Sequence, residues 1–280
     1  MKKSTSERIQ SILLHIVLLV LALLIVLPVV AIFLASFKPG NKLIQYGLNL
    51  EIDPEVMSLD NYILLFRGDH DYWVWFGNSL ILTVITVVGT LVISSFVAYG
   101  FAVYQFKGRN ALFVVVLLIL SVPFEVVMLP MYKMFSQMGL MDSYVAIVVP
   151  FLAHASTIFF FRQYLQGIPL DLLEAGRIDG ANEYSIFLRI IVPIMKPAYA
   201  AMAILNGMNA WNNYLWPLLV ISSESKYTLT LGLNTLLSPY GNNYDLLLVG
   251  CFFSILPIFI LFACFQKYFI EGMTAGAVKG

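Results

Sequence analysis

Apolar residues in this chain fall into long, nearly unbroken runs, without the two-residue or 3.6-residue alternation of half-buried strands and helices. Six runs reach the roughly 20 residues that a helix needs to cross about 30 Å of hydrocarbon: about 12–35, 76–104, 111–132, 143–161, 194–221 and 246–266. They predict an all-α membrane protein with six transmembrane helices. Lys2, Lys3 and Arg8 precede the first run as they would in a secretion signal. The run is longer than the roughly 7–15 apolar residues of a signal core, so a retained helix is expected.

The polar intervals set the orientation. With the N-terminus inside, the inner segments hold Lys2, Lys3, Arg8, Lys107, Arg109, Arg162, Arg177, Arg189, Lys196, Lys267 and Lys279. The outer segments hold Lys38, Lys42, Arg67, Lys133 and Lys226, which completes the 16 cations of the chain. Cytoplasmic loops carry the excess of Lys and Arg, so both termini are predicted to be cytoplasmic. Residues 36–75 and 222–245 then form outer loops, and 162–193 is the one substantial cytoplasmic segment. The 36–75 loop is rich in turn residues and contains a short helix predicted around 58–66, opened by Ser58. No repeat or low-complexity linker divides the sequence, so 1–280 reads as one domain.

Composition agrees with the pattern and narrows the chemistry. Of 280 residues 60% are hydrophobic and 11% charged, against about 25% charged in soluble domains. A formal net charge of zero provides no field for nucleic acid. Cys251 and Cys264 share one apolar run, which argues against a disulfide framework. His15, His70 and His154 are scattered without metal-ligand spacing, so no metal site and no cofactor of this chain's own is expected.

One cytoplasmic stretch breaks the apolar pattern: LLEAGRIDGANEYSIFLRIIVPIMKP, residues 172–197. Pro169 suits a first helical position, and Asp171 and Glu174 place negative charge where the helix dipole favours it. Gly180 suits the turn after that helix. Asn182 suits the cap of a second helix, which is expected to stop before Pro193. Tyr184, Phe187, Leu188 and Ile191 lie on one face of that second helix. The segment reads either as a connector resting on lipid headgroups or as a docking element for a soluble partner. Its mixed charge, where anionic lipid prefers a Lys/Arg excess, favours docking.

Polar residues inside the spans are costly unless they face a cavity or a partner. Asn206, Asn209 and Asn213 fall within about 60° of one another on a helix, with Trp211, Asn212 and Trp216 alongside. The stripe suits sugar hydroxyls and aromatic stacking, or equally hydrogen bonding between helices. Glu125 lies between Pro123 and Pro130 and reads as a pathway or gate residue, a proton-transport group, or a partner for backbone freed by the prolines. His154, near Ser156 and Thr157, reads as a packed polar residue. The small residues of 89–100 are accounted for by close helix packing.

The spacing Glu174-Ala175-Gly176, three residues, Gly180, nine residues, Ile190, one residue, Val192-Pro193 resembles the E-A-A-x3-G-x9-I-x-L-P signature of permease subunits of binding-protein-dependent ABC importers. Gly176 replaces the second alanine and Val192 the leucine. FGNSLILTV (76–84), AYGFAVYQFKGRN (98–110), MLPMYKMFSQMGLMDSY (128–144), AWNNYLWPL (210–218) and QKYFIEGMTAGAVKG (266–280) are similar to the carbohydrate-uptake branch typified by the second maltose permease subunit. GLNLEIDPEVMSLDNY and LLSPYGNNYD further resemble its arabino-oligosaccharide group in Gram-positive bacteria.

The resemblance implies the type I ABC importer transmembrane fold. It also implies an assembly with a second permease, two copies of a nucleotide-binding ATPase and an extracellular solute-binding protein. Glu174, Ala175, Gly176, Arg177, Asp179 and Gly180 would form the ATPase-coupling segment. ATP and Mg would be bound by the partner ATPase, and the sequence contains no G-x-x-x-x-G-K-[ST] phosphate loop. The 222–245 loop resembles one that reaches into the binding protein, which makes Tyr240, Asn242 and Asn243 contact candidates; a simple turn explains them equally. Glu125, Asn206, Asn209, Asn213 and Trp216 are the pathway candidates. A proton-coupled secondary sugar transporter is the alternative, although Glu125 is its single buried carboxylate. A membrane enzyme would need a His, Asp or Glu cluster near one interface, and the sequence has none.

Overall fold

The structure, a computed structural model, describes residues 5–68, 70–169, 171–238 and 241–275. The chain runs through α1 (Thr5–Ala35), α2 (Gly40–Tyr46), α3 (Asp60–Arg67), α4 (Tyr72–Val103), α5 (Arg109–Leu120), α6 (Phe124–Gln137), α7 (Tyr144–Val148) and α8 (Ala155–Leu165). It continues through α9 (Asp171–Ile178), α10 (Glu183–Ile186), α11 (Val192–Ile194), α12 (Lys196–Trp211), α13 (Leu215–Val220), α14 (Leu229–Thr235) and α15 (Tyr244–Ala275). A π turn occupies Phe187–Ile191, and a minimal hairpin pairs β1 (Leu237–Ser238) with β2 (Gly241–Asn242).

Helices α1, α4 and α15 and the run Tyr144–Leu165 are each long and apolar enough to cross a membrane. The other two apolar runs are broken. Helices α5 and α6 meet at 101° across Ser121–Pro123, where Pro123 has no N–H for the helical ladder and its ψ of 138° takes the chain out of the helix. The α10–α11 segment meets α12 at 75° at Met195, and α12 ends at Trp211, three residues before α13. The described residues thus offer four spans, or up to six when each bent pair is taken as one. The helix expected around 58–66 runs Asp60–Arg67, with Leu59 and not Ser58 at its cap position.

Contacts group the chain into two compact units. The first takes residues up to 72 together with 233–256. In it Gly40 N–H donates to Asp245 Oδ1 at 2.6 Å and Tyr72 OH donates to Gly250 O at 2.9 Å. Asn61 Nδ2 ties the carbonyls of Ser36 and Lys38, both at 2.9 Å, so the 36–68 segment is held by paired backbone groups and not by burial alone.

The second unit takes 73–232 and the chain from 257 onward. It has two buried clusters. One joins Leu82, Phe135, Ala146, Ile147 and Val148 to Trp216 and Val220. The other joins Ala98, Tyr99, Phe161 and Leu165 to Leu173, Ile186, Phe187, Ile191 and Met195. Helix α4 contributes to both, through Leu82 and through Ala98 and Tyr99, positions about 24 Å apart along its axis at 1.5 Å per residue.

Candidate functional site

The segment 171–194 forms a hook. Helix α9 is closed by Gly180 N–H donating to Arg177 O and Ala181 N–H donating to Gly176 O, both at 3.0 Å. With Gly180 at φ 79° this is a Schellman closure, which needs a residue at ease in the left-handed region. Asn182 Oδ1 then accepts from Ser185 N–H at 2.9 Å and caps α10. The helix, glycine turn and capped helix expected from sequence are all present. Leu173 and Gly176 turn inward, whereas Glu174, Ala175, Arg177, Asp179 and Gly180 are exposed.

A Cβ added at Gly176 would lie 3.0 Å from Ile190 Cδ1 and 3.2 Å from Ile186 Cγ1. The glycine therefore lets α9 approach the following helix closely, against the roughly 1 kcal/mol it loses in helix propensity relative to alanine.

The second half of the hook departs from expectation in two ways. It does not stop before Pro193: the chain stays helical to Ile194 by widening into the π turn, where Val192 N–H donates to Phe187 O, five residues back. The wider ring shifts the bonding register one residue ahead of a proline that has no N–H to give. The apolar face of Tyr184, Phe187, Leu188 and Ile191 is also divided. Phe187 and Ile191 are buried, Phe187 lying on Phe96 at 4.4 Å between ring centroids, whereas Tyr184 and Leu188 are 74% and 58% exposed.

Glu183, at the start of α10, carries no motif signal and proves to be the most connected side chain of the hook. Its Oε1 accepts from Arg177 Nε at 2.8 Å. Its Oε2 accepts from Tyr104 OH at 2.8 Å and Tyr99 OH at 3.1 Å. The Arg177 bond, then the Tyr104 bond, hold the carboxyl at a pKa of about 2, well below the usual carboxylate range.

A cavity of about 320 Å³ lies in the second unit, against the cluster that contains Leu82 and Ile147. Helix α4 lines it with Ser79, Leu82, Thr86 and Thr90; α12 and the break after it contribute Asn206, Asn209 and Asn213. Phe124, Ile147, Phe151, His154, Pro217 and Thr228 complete most of the wall. The three asparagines share this cavity but not one condition. Asn206 Nδ2 donates to Thr157 Oγ1 at 3.1 Å, an interhelical bond to α8. Among the described residues the side chains of Asn209, Asn213 and Thr86 have no hydrogen-bond partner, although Thr86 is only 6% exposed. His154 belongs to the wall, its Nδ1 2.7 Å from Ser156 Oγ. The stripe Ser79, Thr86, Thr90 escaped the sequence reading, although the same periodicity test that found the asparagines applies to it.

The remaining candidates lie elsewhere. Trp216 is fully buried behind the wall, its Nε1 donating to Ala146 O at 2.8 Å. Glu125 is exposed in the first turn of α6, next to the wall residue Phe124. Tyr240 lies outside the described residues. Asn242 is exposed, its Nδ2 donating to Tyr244 OH at 2.8 Å, and Asn243 Oδ1 accepts from Leu246 N–H at 3.0 Å at the start of α15. Asp142, at φ 54°, gathers the N–H groups of Ser222 and Ser223, Ser223 Oγ and Lys226 Nζ, and so fixes the loop after α13. Its carboxyl is held below the usual range, first by Lys226 and then by Ser223. Among the described residues no group of three His, Cys, Asp or Glu side chains is placed to hold a metal ion.

Residues 90–275 match the family described as binding-protein-dependent transport system inner membrane component. The arabinooligosaccharides transport system permease protein AraQ of Bacillus subtilis (strain 168) is 53% identical over 94% of this chain and 93% of its own length. The protein of the same name from Halalkalibacterium halodurans is 49% identical over the whole of both. Among solved structures, a chain of a bacterial ABC transporter involved in the import of the acidic polysaccharide alginate superposes with a TM-score of 0.82. That chain is 25% identical, and the match covers 96% of this chain and 99% of that one.

Proposed function

This chain belongs to the family of binding-protein-dependent transport system inner membrane components, and from that premise we propose that it is one of two permease halves of an ATP-driven importer of neutral oligosaccharides, those of arabinose in particular. It is a multi-pass protein of the bacterial plasma membrane. The observation that carries the reading is the hook, which presents Glu174, Ala175, Arg177, Asp179 and Gly180 to a partner in a chain whose sequence has no phosphate loop. An ATPase subunit seated on the hook supplies the nucleotide chemistry, with ATP and Mg bound on its side.

The topology that fits is six spans with both termini cytoplasmic, 162–193 inside, and 36–75 and 222–245 outside. The outer loops receive a solute-binding protein. Sugar crosses along the cavity, where Asn209, Asn213 and Thr86 have hydrogen-bonding capacity to spare. The described lining includes no carboxylate, ammonium or guanidinium group, so it matches uncharged hydroxyls better than uronates. The proton-coupled alternative has no support from the relatives, which include permease proteins of ABC transporters, and Glu125 does not line the cavity.

The test is uptake into vesicles carrying the complete complex and its binding protein. Arabinotriose uptake should require internal ATP, survive a protonophore, and exceed uptake of an oligouronide of equal length. Uptake that ignores ATP and collapses with the proton gradient would overturn the reading.

A further inference from the structure

Two structural facts about α4 are independent of any family signature. Its residues 79–90 line the cavity through Ser79, Leu82, Thr86 and Thr90. Its last turn, and the residue just past its end, hold the hook through hydroxyl groups: Tyr99 OH and Tyr104 OH both donate to Glu183 Oε2, at 3.1 and 2.8 Å. The other oxygen of Glu183 takes Arg177 Nε at 2.8 Å, so one carboxylate clamps α9, α10 and α4 together. The clamp is geometrically restrained. Tyr99 is 5% exposed and packs edge-on to Phe187 at 5.2 Å and to Tyr104 at 5.8 Å. The buried Tyr99 phenol is held in place by this packing, and the carboxylate accepts from both phenols.

Apart from this polar clamp, the contacts between the hook and α4 among the described residues are apolar, chiefly Phe187 on Phe96. Apolar contacts tolerate sliding, and charge-assisted hydrogen bonds tolerate far less.

We propose that Glu183 is a positioning residue that fixes the hook to the end of α4, so that movement of an ATPase on the hook is delivered to the helix that lines the cavity. The proposal rests on the coupling reading of the hook. It assigns to Glu183, Tyr99 and Tyr104 a role in transmission, distinct from that of the exposed residues that meet the ATPase. It predicts that loosening the clamp uncouples ATP turnover from cavity rearrangement without preventing assembly.

The experiment needs no knowledge of the sugar. In the complete complex, with Cys251 and Cys264 replaced by serine, a cysteine reporter is placed at Thr86 and its maleimide labelling rate is measured without nucleotide and after ATP–vanadate trapping. In the parent the two rates should differ by about fivefold or more, the low end of ordinary allosteric coupling. In Glu183→Gln and in Tyr104→Phe the difference should fall below about twofold, while ATP turnover per assembled complex is retained; Glu183→Asp should recover part of it. Parental labelling ratios in both variants would overturn the proposal, as would ratios that fall only in proportion to lost assembly. Tyr104→Phe removes one exposed hydroxyl and decides the matter if Glu183→Gln fails to assemble. Glu174→Lys separates the two readings. If it leaves ATPase binding intact, the coupling reading itself fails; if it removes binding while the clamp variants keep the parental ratio, the clamp alone fails.

Discussion

At Gly176 the absent methyl group sets how closely two helices of the hook pack. Alanine would gain about 1 kcal/mol of helix propensity but press its Cβ to 3.0 Å from the Ile190 terminal methyl, which can shift slightly. Gly176→Ala should therefore change hook stability by less than about 1 kcal/mol, whereas Gly176→Val, which adds two methyl groups against Ile186 and Ile190, should expose the α9–α10 junction to trypsin. Comparable cleavage of the valine variant and the parent would show that the close approach is unimportant. Glu183 makes the second residue-scale prediction. Its pKa is depressed to about 2, below the usual carboxylate range, so its contribution is fully present above about pH 4.5 and is lost as pH falls towards 2. A nitroxide at Leu188 should keep one mobility from pH 8 to pH 5 and loosen only below about pH 4. Gly180 and Asn182 were legible in the sequence because a turn glycine and a helix cap act within a few residues. Glu183 was not, because Tyr99 lies 84 residues away and nothing near Glu183 marks it as a partner.

Among the elements, the hook's helices are short and depend on their ends. Asn182→Ala removes the cap of α10 and should cost about 1 kcal/mol; Gly180→Ala puts a Cβ at φ 79° and should cost about 1–2 kcal/mol. Each should raise the tryptic cleavage rate at Arg177 and Arg189 roughly fivefold or more, by the same free energy, and an unchanged rate would show that packing on α4 holds the hook without its caps. The apolar runs told where helices form but not where they break. Pro123 and Pro193 are both plain in the sequence, yet the first turns the chain by 101° and the second is carried through by the π turn. A proline removes a donor in either place; what replaces the missing bond is decided by neighbours distant in sequence.

Across the whole molecule, the cavity divides the asparagines into two kinds, and transport should divide them likewise. Asn206→Leu leaves Thr157 without its partner and should lower the amount of folded protein, by about 1–3 kcal/mol of stability. Asn209→Leu and Asn213→Leu should leave that amount unchanged and raise the KM for uptake. Equal KM values for all three variants would remove the cavity from the pathway. The helical, apolar character of the fold was readable from the runs, because crossing hydrocarbon requires little more than length and apolarity. The cavity was readable only on the α12 side, since small hydroxyl residues such as Ser79, Thr86 and Thr90 hardly disturb an apolar stretch. Helix α1 shows what that same simplicity leaves undone. Its apolar side chains from Ile9 to Val30 are exposed, and within the described chain only its last turns, at Ala31 and Ala35, are buried. Little of this chain's own packing is lost when α1 comes away, so its melting need not coincide with that of the rest. In detergent the subunit should unfold in separate steps, and a single midpoint temperature would not be a property of the whole chain.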